Sequence, residues 1–391
     1  MKSGGDTKAR ERLARLWRAG VAAVEGRAAV ARALDAAPVP RPDLVLSVGK
    51  AAVPMARAAL DRFGPVPALA VTKYGHADGH ADGQSDGYRD SHRDGAPALE
   101  VIEAGHPVPD VESLRAGAAL RARVAACGPE AHLLLLVSGG ASALAEDPEP
   151  GVTLAGLAAE TERLLASGAD IAAMNARRRQ LSRIKGGRLL EGFGGARVTV
   201  LAISDVAGDD IAVIGSGIGL VPETAGFAQE TRIVASNAVA RAAIAAEAEA
   251  AGLPLRETAE TLYRDVGEAA AMIGARLRDG PPGLYLWGGE PTVVLPERPG
   301  RGGRNQALAL ALAREIAGRA GVTALVAGTD GTDGPTDAAG AFAGAATWGT
   351  GAAEALARAD SGTWLASRGA LFAPGPTGTN VMDLALALVE A

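Results

Sequence analysis

The stretch "HLLLLVSGGASAL", residues 132–144, sets the fold class. An unbroken aliphatic run stops at Ser138-Gly139-Gly140 and gives way to small helix-forming residues. A strand that is apolar at every position buries both of its faces. That is the habit of parallel sheets covered by helices on each side, not of half-solvated antiparallel ones. The stretch therefore predicts a central strand turning through glycines into a helix. The same grammar recurs in "DLVLSVG" (43–49), "ALAVTKY" (68–74), "RVTVLAIS" (197–204), "TRIVAS" (231–236), "GLYLWG" (283–288) and "TALVAG" (323–328). Helices are predicted at 8–35, 51–62, 111–126, 171–190, 238–250, 258–278, 304–318 and 379–390. Alternation of such elements implies an α/β fold with a mostly parallel sheet.

Composition supports this. The chain has 391 residues, of which 48% are hydrophobic but only 3% aromatic, so its core must be Ala, Val and Leu. The net charge of −6 argues against broad nucleic-acid or anionic-membrane binding. A single cysteine, Cys127, excludes an internal disulfide framework. The charged N-terminus has no apolar signal-peptide core, and the longest aliphatic run, "LLLLV", is too short to span a bilayer. A cytoplasmic protein is expected. The composition change at "RDGPPGLYLW" predicts a boundary near 280, giving domains 1–280 and 281–391. Residues 75–96 repeat Asp-Gly and read as a polar insertion. Within it His76, Asp78, His80, Asp82 and Asp86 are drawable as a metal set, but catalysis requires ligands on rigid elements.

The predicted strands have similar sequels. They run into "GKAAVPMA", "GGASAL", "DVAGDD", "GEPT" and "TDGTDGPTD". Ligands of open α/β sheets bind at the carboxyl ends of strands, where glycine lets backbone N–H groups approach an anion. "SGGASA" (138–143) is thus either a phosphate cradle or merely a tight turn. "GSGIG" (215–219) carries Leu220 where a dinucleotide fingerprint needs its third glycine. On the predicted helix 171–190, Arg178, Ser182 and Lys185 share one face. Arg301 and Arg304 sit in a glycine-rich helix start, which suits bidentate contact with carboxylate or phosphate. In "VAGTDGTDGPTDAAGA" (326–341), Asp330, Asp333 and Asp337 are either local caps or, for the first two, ligands of Mg²⁺ or acceptors of a substrate proton.

Taken in order, "VGKAAVPMA", "VTKYGH", "EAGHPVPD", "LLVSGGASAL", "MNARRRQLSRIKGG", "ISDVAGDD", "GGEPTV", "GRGGRNQ", "GTDGTDGPTDAAGA" and "PGPTGTNVMDL" resemble the class II glycerate 2-kinases, whose C-terminal part is the MOFRL domain. The resemblance implies a large Rossmann-like domain, a smaller α/β domain, and an active site in the cleft between them. It implies transfer of the ATP γ-phosphate to the 2-hydroxyl of D-glycerate with Mg²⁺ and small-molecule partners. No nucleic-acid or membrane partner is expected from the charge and the short apolar runs, and the state is expected to be a monomer or homodimer. By matching positions, Lys50, Arg304 and Asp330 are expected to be catalytic. Ser138, Gly139, Gly140, Ser142, Arg178, Lys185, Asp205, Glu290 and Asn305 are expected to bind substrate or phosphate, and Asp333 the metal. Phosphoryl transfer is chiefly positioning and charge neutralisation, so these residue types are the parts required.

The chain also departs from the family pattern. Arg179 and Gln180 replace Lys and His, "SGIG" (216–219) replaces "SGPT", and "LYRD" (262–265) replaces a "GEAR"-like stretch. Trp287 stands where a serine is usual, and Ala307 replaces Glu. Trp287 is expected to fill space near the cleft, and acceptor preference or turnover is expected to differ from typical members.

Overall fold

The structure, a computed structural model, describes residues 4–77, 99–166 and 171–390. The metal set drawn at 78–86 and most of the polar insertion lie outside these residues. The chain forms two compact units. One comprises Val24–Ser236 with Gly378–Asn380; the other comprises Met1–Ala23, Asn237–Thr377 and Val381–Ala391.

The chain starts with α1 (Gly4–Val24) and α2 (Gly26–Ala36), where one helix was expected. The first unit then runs β1 (Leu44–Val48), α3 (Ala52–Phe63), β2 (Ala68–Lys73), β3 (Leu99–Ala104), α4 (Val111–Ala125) and β4 (His132–Val137). It continues through α5 (Ala141–Leu144), α6 (Leu154–Ala166), α7 (Ile171–Gln180), α8 (Arg188–Glu191), β5 (Arg197–Ile203) and β6 (Ala228–Ala235). Its six strands are all parallel, in the order β3-β2-β1-β4-β5-β6. This is the doubly wound Rossmann order, whose ligand crevice opens where the order reverses, here between β1 and β4. Every residue of β1 and β4 is buried, as their unbroken apolar runs require.

The second unit contains α9 (Asn237–Ala250), β7 (Leu255–Glu260), α10 (Val266–Asp279), β8 (Gly283–Gly289), α11 (Arg304–Glu315) and β9 (Val322–Gly328). It ends with β10 (Gly340–Gly344), α12 (Ala352–Ala357), α13 (Ser361–Ser367), β11 (Leu371–Phe372) and β12 (Asp383–Val389). Its sheet runs β11-β10-β9-β12-β8-β7, with every pair antiparallel except β7–β8. The mostly parallel sheet expected from the sequence therefore describes the first unit. α11 is buried along most of its length beneath this sheet, among Ala324, Val326, Ala385 and Ala387.

The compact units part at Ser236/Asn237, since β7 pairs with β8 and α10 packs against α11. Three expectations are corrected. Residues 379–390 are not a helix: Ala and Leu favour helix intrinsically, but "DLALALV" alternates in period two and both faces are covered. The helix predicted at 258–278 begins at Val266, capped by the Asp265 carboxylate, which accepts the Gly267 N–H. The helix predicted at 171–190 stops at Gln180, and Gly186 and Gly187 take φ of 62° and 88°. Strands β3 and β7 lie at sheet edges and carry charged residues, which hid them from a search for apolar runs.

Candidate functional site

In the first unit, the carboxyl ends of β1, β4 and β5 interlock. The Lys50 N–H donates to the Gly139 carbonyl at 2.9 Å, and the Ala51 N–H donates to Ser138 Oγ at 3.1 Å. Ser138 is buried, so its hydroxyl fastens the start of α3 to the β4 turn. Gly49 has φ 128°, and a Cβ there would fall 2.2 Å from Ser138 Oγ and 2.4 Å from its carbonyl oxygen. A Cβ on Gly139 would fall 2.0 Å from Asp205 Oδ2, so Asp205, just beyond β5, lies against this turn. Gly140 takes φ 85°, and its open side faces the Lys50 stem and the His106 ring, each 3.2 Å from where a Cβ would stand. Lys50, Ser138, Gly139, Gly140 and Asp205 are thus gathered at the reversal point of strand order.

His106 is a member of this group that residue-by-residue reading passed over. Its only signal was its place in "EAGHPVPD". Burial, followed by the neighbouring charges of Lys50, Lys73, Arg178 and His76, lowers its pKa to about 3. The imidazole is neutral at physiological pH and offers a hydrogen bond without adding charge.

Arg178 and Lys185 do not share a helix face, because α7 ends between them, yet the turn brings them to one small cavity. It measures about 10 Å³, room for roughly one water, and is lined by Ser142, Glu146, Arg178 and Lys185 among others. The Arg178 guanidinium reaches Ser142 Oγ at 3.4 Å and is half-buried; desolvation lowers its pKa, with Glu146 opposing. The Lys185 ammonium is paired with Glu146, and both are almost wholly buried. Burial lowers the Lys185 pKa and Glu146 holds it back up. Removing one member of such a pair strands the other, so the pair is costly to break. The glycines after it have a similar use: the Gly186 and Gly187 N–H groups donate to the carbonyls of Ser216 and Gly217 at 3.0 and 2.9 Å. "GSGIG" is therefore engaged by its own chain.

In the second unit, the site is built from side chains around the start of α11. Arg304, its first residue, donates from Nε to Asp383 Oδ2 at 2.6 Å, and its Nη1 lies 2.6 Å from Glu290 Oε1. Asn305 Nδ2 donates to Asp383 Oδ1 at 2.8 Å. Asp383, the first residue of β12, is buried and stands in register with Gly289 and Gly328. The Arg304 pKa is raised: burial alone would lower it, but Asp383 and Glu290 more than offset that. Asp383 was not foreseen. Its signal is an acid heading an otherwise apolar alternation.

Asp333 accepts the Asn305 N–H at 3.1 Å and the Gln306 N–H at 2.8 Å, one on each carboxylate oxygen. It caps α11 from 28 residues away. A Cβ on Gly303 would fall 2.2 Å from its Oδ1, which explains the glycine there. Burial raises the Asp333 pKa to about 7, with the Asn305 and Gln306 amides opposing and Asp383 adding to the rise. Both carboxylate oxygens of the expected metal ligand are thus engaged by backbone amides. Asp330 accepts the N–H and hydroxyl of Thr332 at 3.0 and 3.1 Å, an Asx turn. Among the described residues no group of three or more His, Cys, Asp or Glu is arranged to hold a metal ion. None of the described helices is long and apolar enough to cross a membrane.

The departures differ in where they fall: Tyr263 of "LYRD" donates to Met382 Sδ at 3.4 Å, next to Asp383 in sequence. Trp287 is in the core rather than exposed to a ligand: it is fully buried, stacks on Tyr285 at 5.9 Å and donates its indole N–H to Glu257. Ala307 is buried in the same core. Gln180 is exposed and accepts from Arg177 at 3.2 Å.

Comparison with known proteins divides the chain between residues 250 and 283. A domain of unknown function, DUF4147, matches residues 12–250, and the MOFRL family matches residues 283–383. A protein of Agrobacterium vitis provisionally named hydroxypyruvate reductase is 35% identical, over 98% of this chain and 95% of its own. The glycerate 2-kinase of Pyrococcus horikoshii is 33% identical, over 89% and 87%. The crystal structure of a glycerate kinase from Thermotoga maritima aligns with a TM-score of 0.83 at 31% identity, covering 98% of this chain and 100% of that one. The chain belongs to the family of glycerate 2-kinase relatives that carry a MOFRL domain.

Proposed function

We propose that this chain is a kinase that uses ATP to phosphorylate the 2-hydroxyl of D-glycerate, giving 2-phosphoglycerate. The observation that carries the reading is Arg304, a guanidinium held rigid by buried Asp383 while its Nη1 edge meets half-exposed Glu290. A fixed, permanently charged fork is what recognition of a small acid's carboxylate or a moving phosphoryl group requires. The glycine turn at the β1–β4 reversal, with Lys50 beside it, supplies backbone groups and a cation of the kind that hold phosphates. Neutral His106 adds a hydrogen-bonding group there. Arg178 and Ser142 would add a second contact, whereas Lys185 supports the fold through Glu146. Mg²⁺ would accompany the nucleotide phosphates, and Asp205, against the glycine turn that would hold them, is placed to bind it. Asn305 holds Asp383 in place and acts through it.

The test is phosphoryl transfer itself. Protein, ATP, Mg²⁺ and D-glycerate are coupled to enolase without phosphoglycerate mutase, so that signal requires the 2-phosphate. ADP release without enolase signal would mean another acceptor or another hydroxyl. The Agrobacterium relative's name keeps a hydroxypyruvate reductase as the second reading, against which stands the engagement of "GSGIG" by Gly186 and Gly187. NADH oxidation with hydroxypyruvate would establish it.

A further inference from the structure

Arg304 is held by two carboxylates of very different standing. The Asp383 side chain is 2% exposed, accepts from Arg304 Nε at 2.6 Å and from Asn305 at 2.8 Å, and heads a strand bonded on both sides. The Glu290 side chain is 44% exposed, lies just past β8 and meets Arg304 through Nη1 at 2.6 Å. One guanidinium charge therefore faces two carboxylate charges. An incoming anion cannot take the Nε edge without displacing a buried charge, which is strongly disfavoured. The Nη1 edge is held by a partly solvated pair, the weak kind.

We propose that Glu290 is a built-in stand-in for the substrate anion: it occupies the Nη1 edge of Arg304 until a carboxylate or phosphoryl group of the substrate displaces it. The inference rests on the kinase reading for the identity of that anion, not for the exchange. Glu290 keeps the guanidinium aimed and neutralised in the resting protein, and binding exchanges one carboxylate for another anion at the same N–H group. Asp383 is the positioning residue that stays. The exchange makes Glu290 a competitor of the substrate, which is the reverse of what a metal ligand or a proton acceptor would be.

The opposed roles separate in E290Q. With D-glycerate varied at saturating ATP, E290Q is expected to lower the KM for glycerate about fivefold, the size of a partly exposed charge contact. D383N, by contrast, is expected to lower kcat without lowering KM. A KM for E290Q that is unchanged or raised, or a collapse of kcat, would overturn the proposal and make Glu290 a chemical participant. Calorimetric titration of the whole protein with inorganic phosphate needs no turnover. Phosphate is expected to bind E290Q more tightly than wild type, and the gain is expected to vanish in E290Q/R304A. If wild type transfers no phosphoryl group to glycerate, the kinase reading fails, yet the phosphate titration still decides the exchange: equal affinities for wild type and E290Q would end it.

Discussion

The two units build their functional groups by opposite means. In the first, backbone does most of the work: glycines at β1 and β4 bring carbonyls, N–H groups and Asp205 within contact, and the place is dictated by where parallel strand order reverses. In the second, a mostly antiparallel sheet offers no such reversal, and side chains carry the arrangement: Arg304, Asp383, Glu290, Asn305 and Asp333 around one helix start. A backbone site tolerates almost any side chain nearby but almost no added Cβ. A side-chain site tolerates changes around it but not the loss of a single charge.

The largest expected effect tests that contrast directly. R304A is expected to lower kcat/KM for glycerate by about a thousandfold, against about a hundredfold for K50A, because no backbone group can replace the guanidinium. Equal losses, measured under identical conditions, would erase the distinction. Next, G49A should destabilise the first unit by about 3 kcal/mol, since a Cβ would meet Ser138 at 2.2 Å on a backbone at φ 128°. Urea unfolding monitored by circular dichroism reads this, and a loss below about 1 kcal/mol would show that the β1–β4 turns are not tightly interlocked.

The third effect belongs to the second unit. The Asp333 pKa is about 7 in the fold, above its unfolded value. The native carboxyl therefore keeps its proton where the unfolded one has lost it. Its contribution is complete below the unfolded pKa and is lost as pH rises through about 7. Raising pH from 5 to 7 should cost about 2 kcal/mol that D333N does not lose. Parallel pH slopes for the two proteins would contradict this. The smallest effect is at Gln180, where Q180A should change stability by under about 0.5 kcal/mol, as an exposed side chain away from both groups should.

Legibility split along the same line. The first unit could be read because a parallel strand and the turn it feeds are adjacent in sequence: Leu133–Val137 and Ser138–Gly140 form one phrase. The second could be read only in fragments. Arg304 and Asp333 were visible in glycine-rich loops, but the Asn305–Asp333 bond spans 28 residues and Arg304–Asp383 spans 79. No local pattern encodes such pairings. Asp383 was hidden further by a strand of Ala and Leu whose intrinsic preference is helical, overridden by β8 and β9 on either side. Lys185 was visible in its basic run, but its buried partner Glu146, 39 residues away, was not.

β12 stands between β8 and β9, although the chain makes both of those strands first. On the ribosome, β8 and β9 must therefore wait with a vacant lane between them, and Arg304 must wait for its buried counter-ion, until residues 383–389 have emerged. The parallel sheet of the first unit has no comparable delay, since β1 to β6 are complete more than a hundred residues earlier. Translation thus completes that sheet while the arginine-built half is still an open sheet, the stage most exposed to mispairing and to chaperone capture.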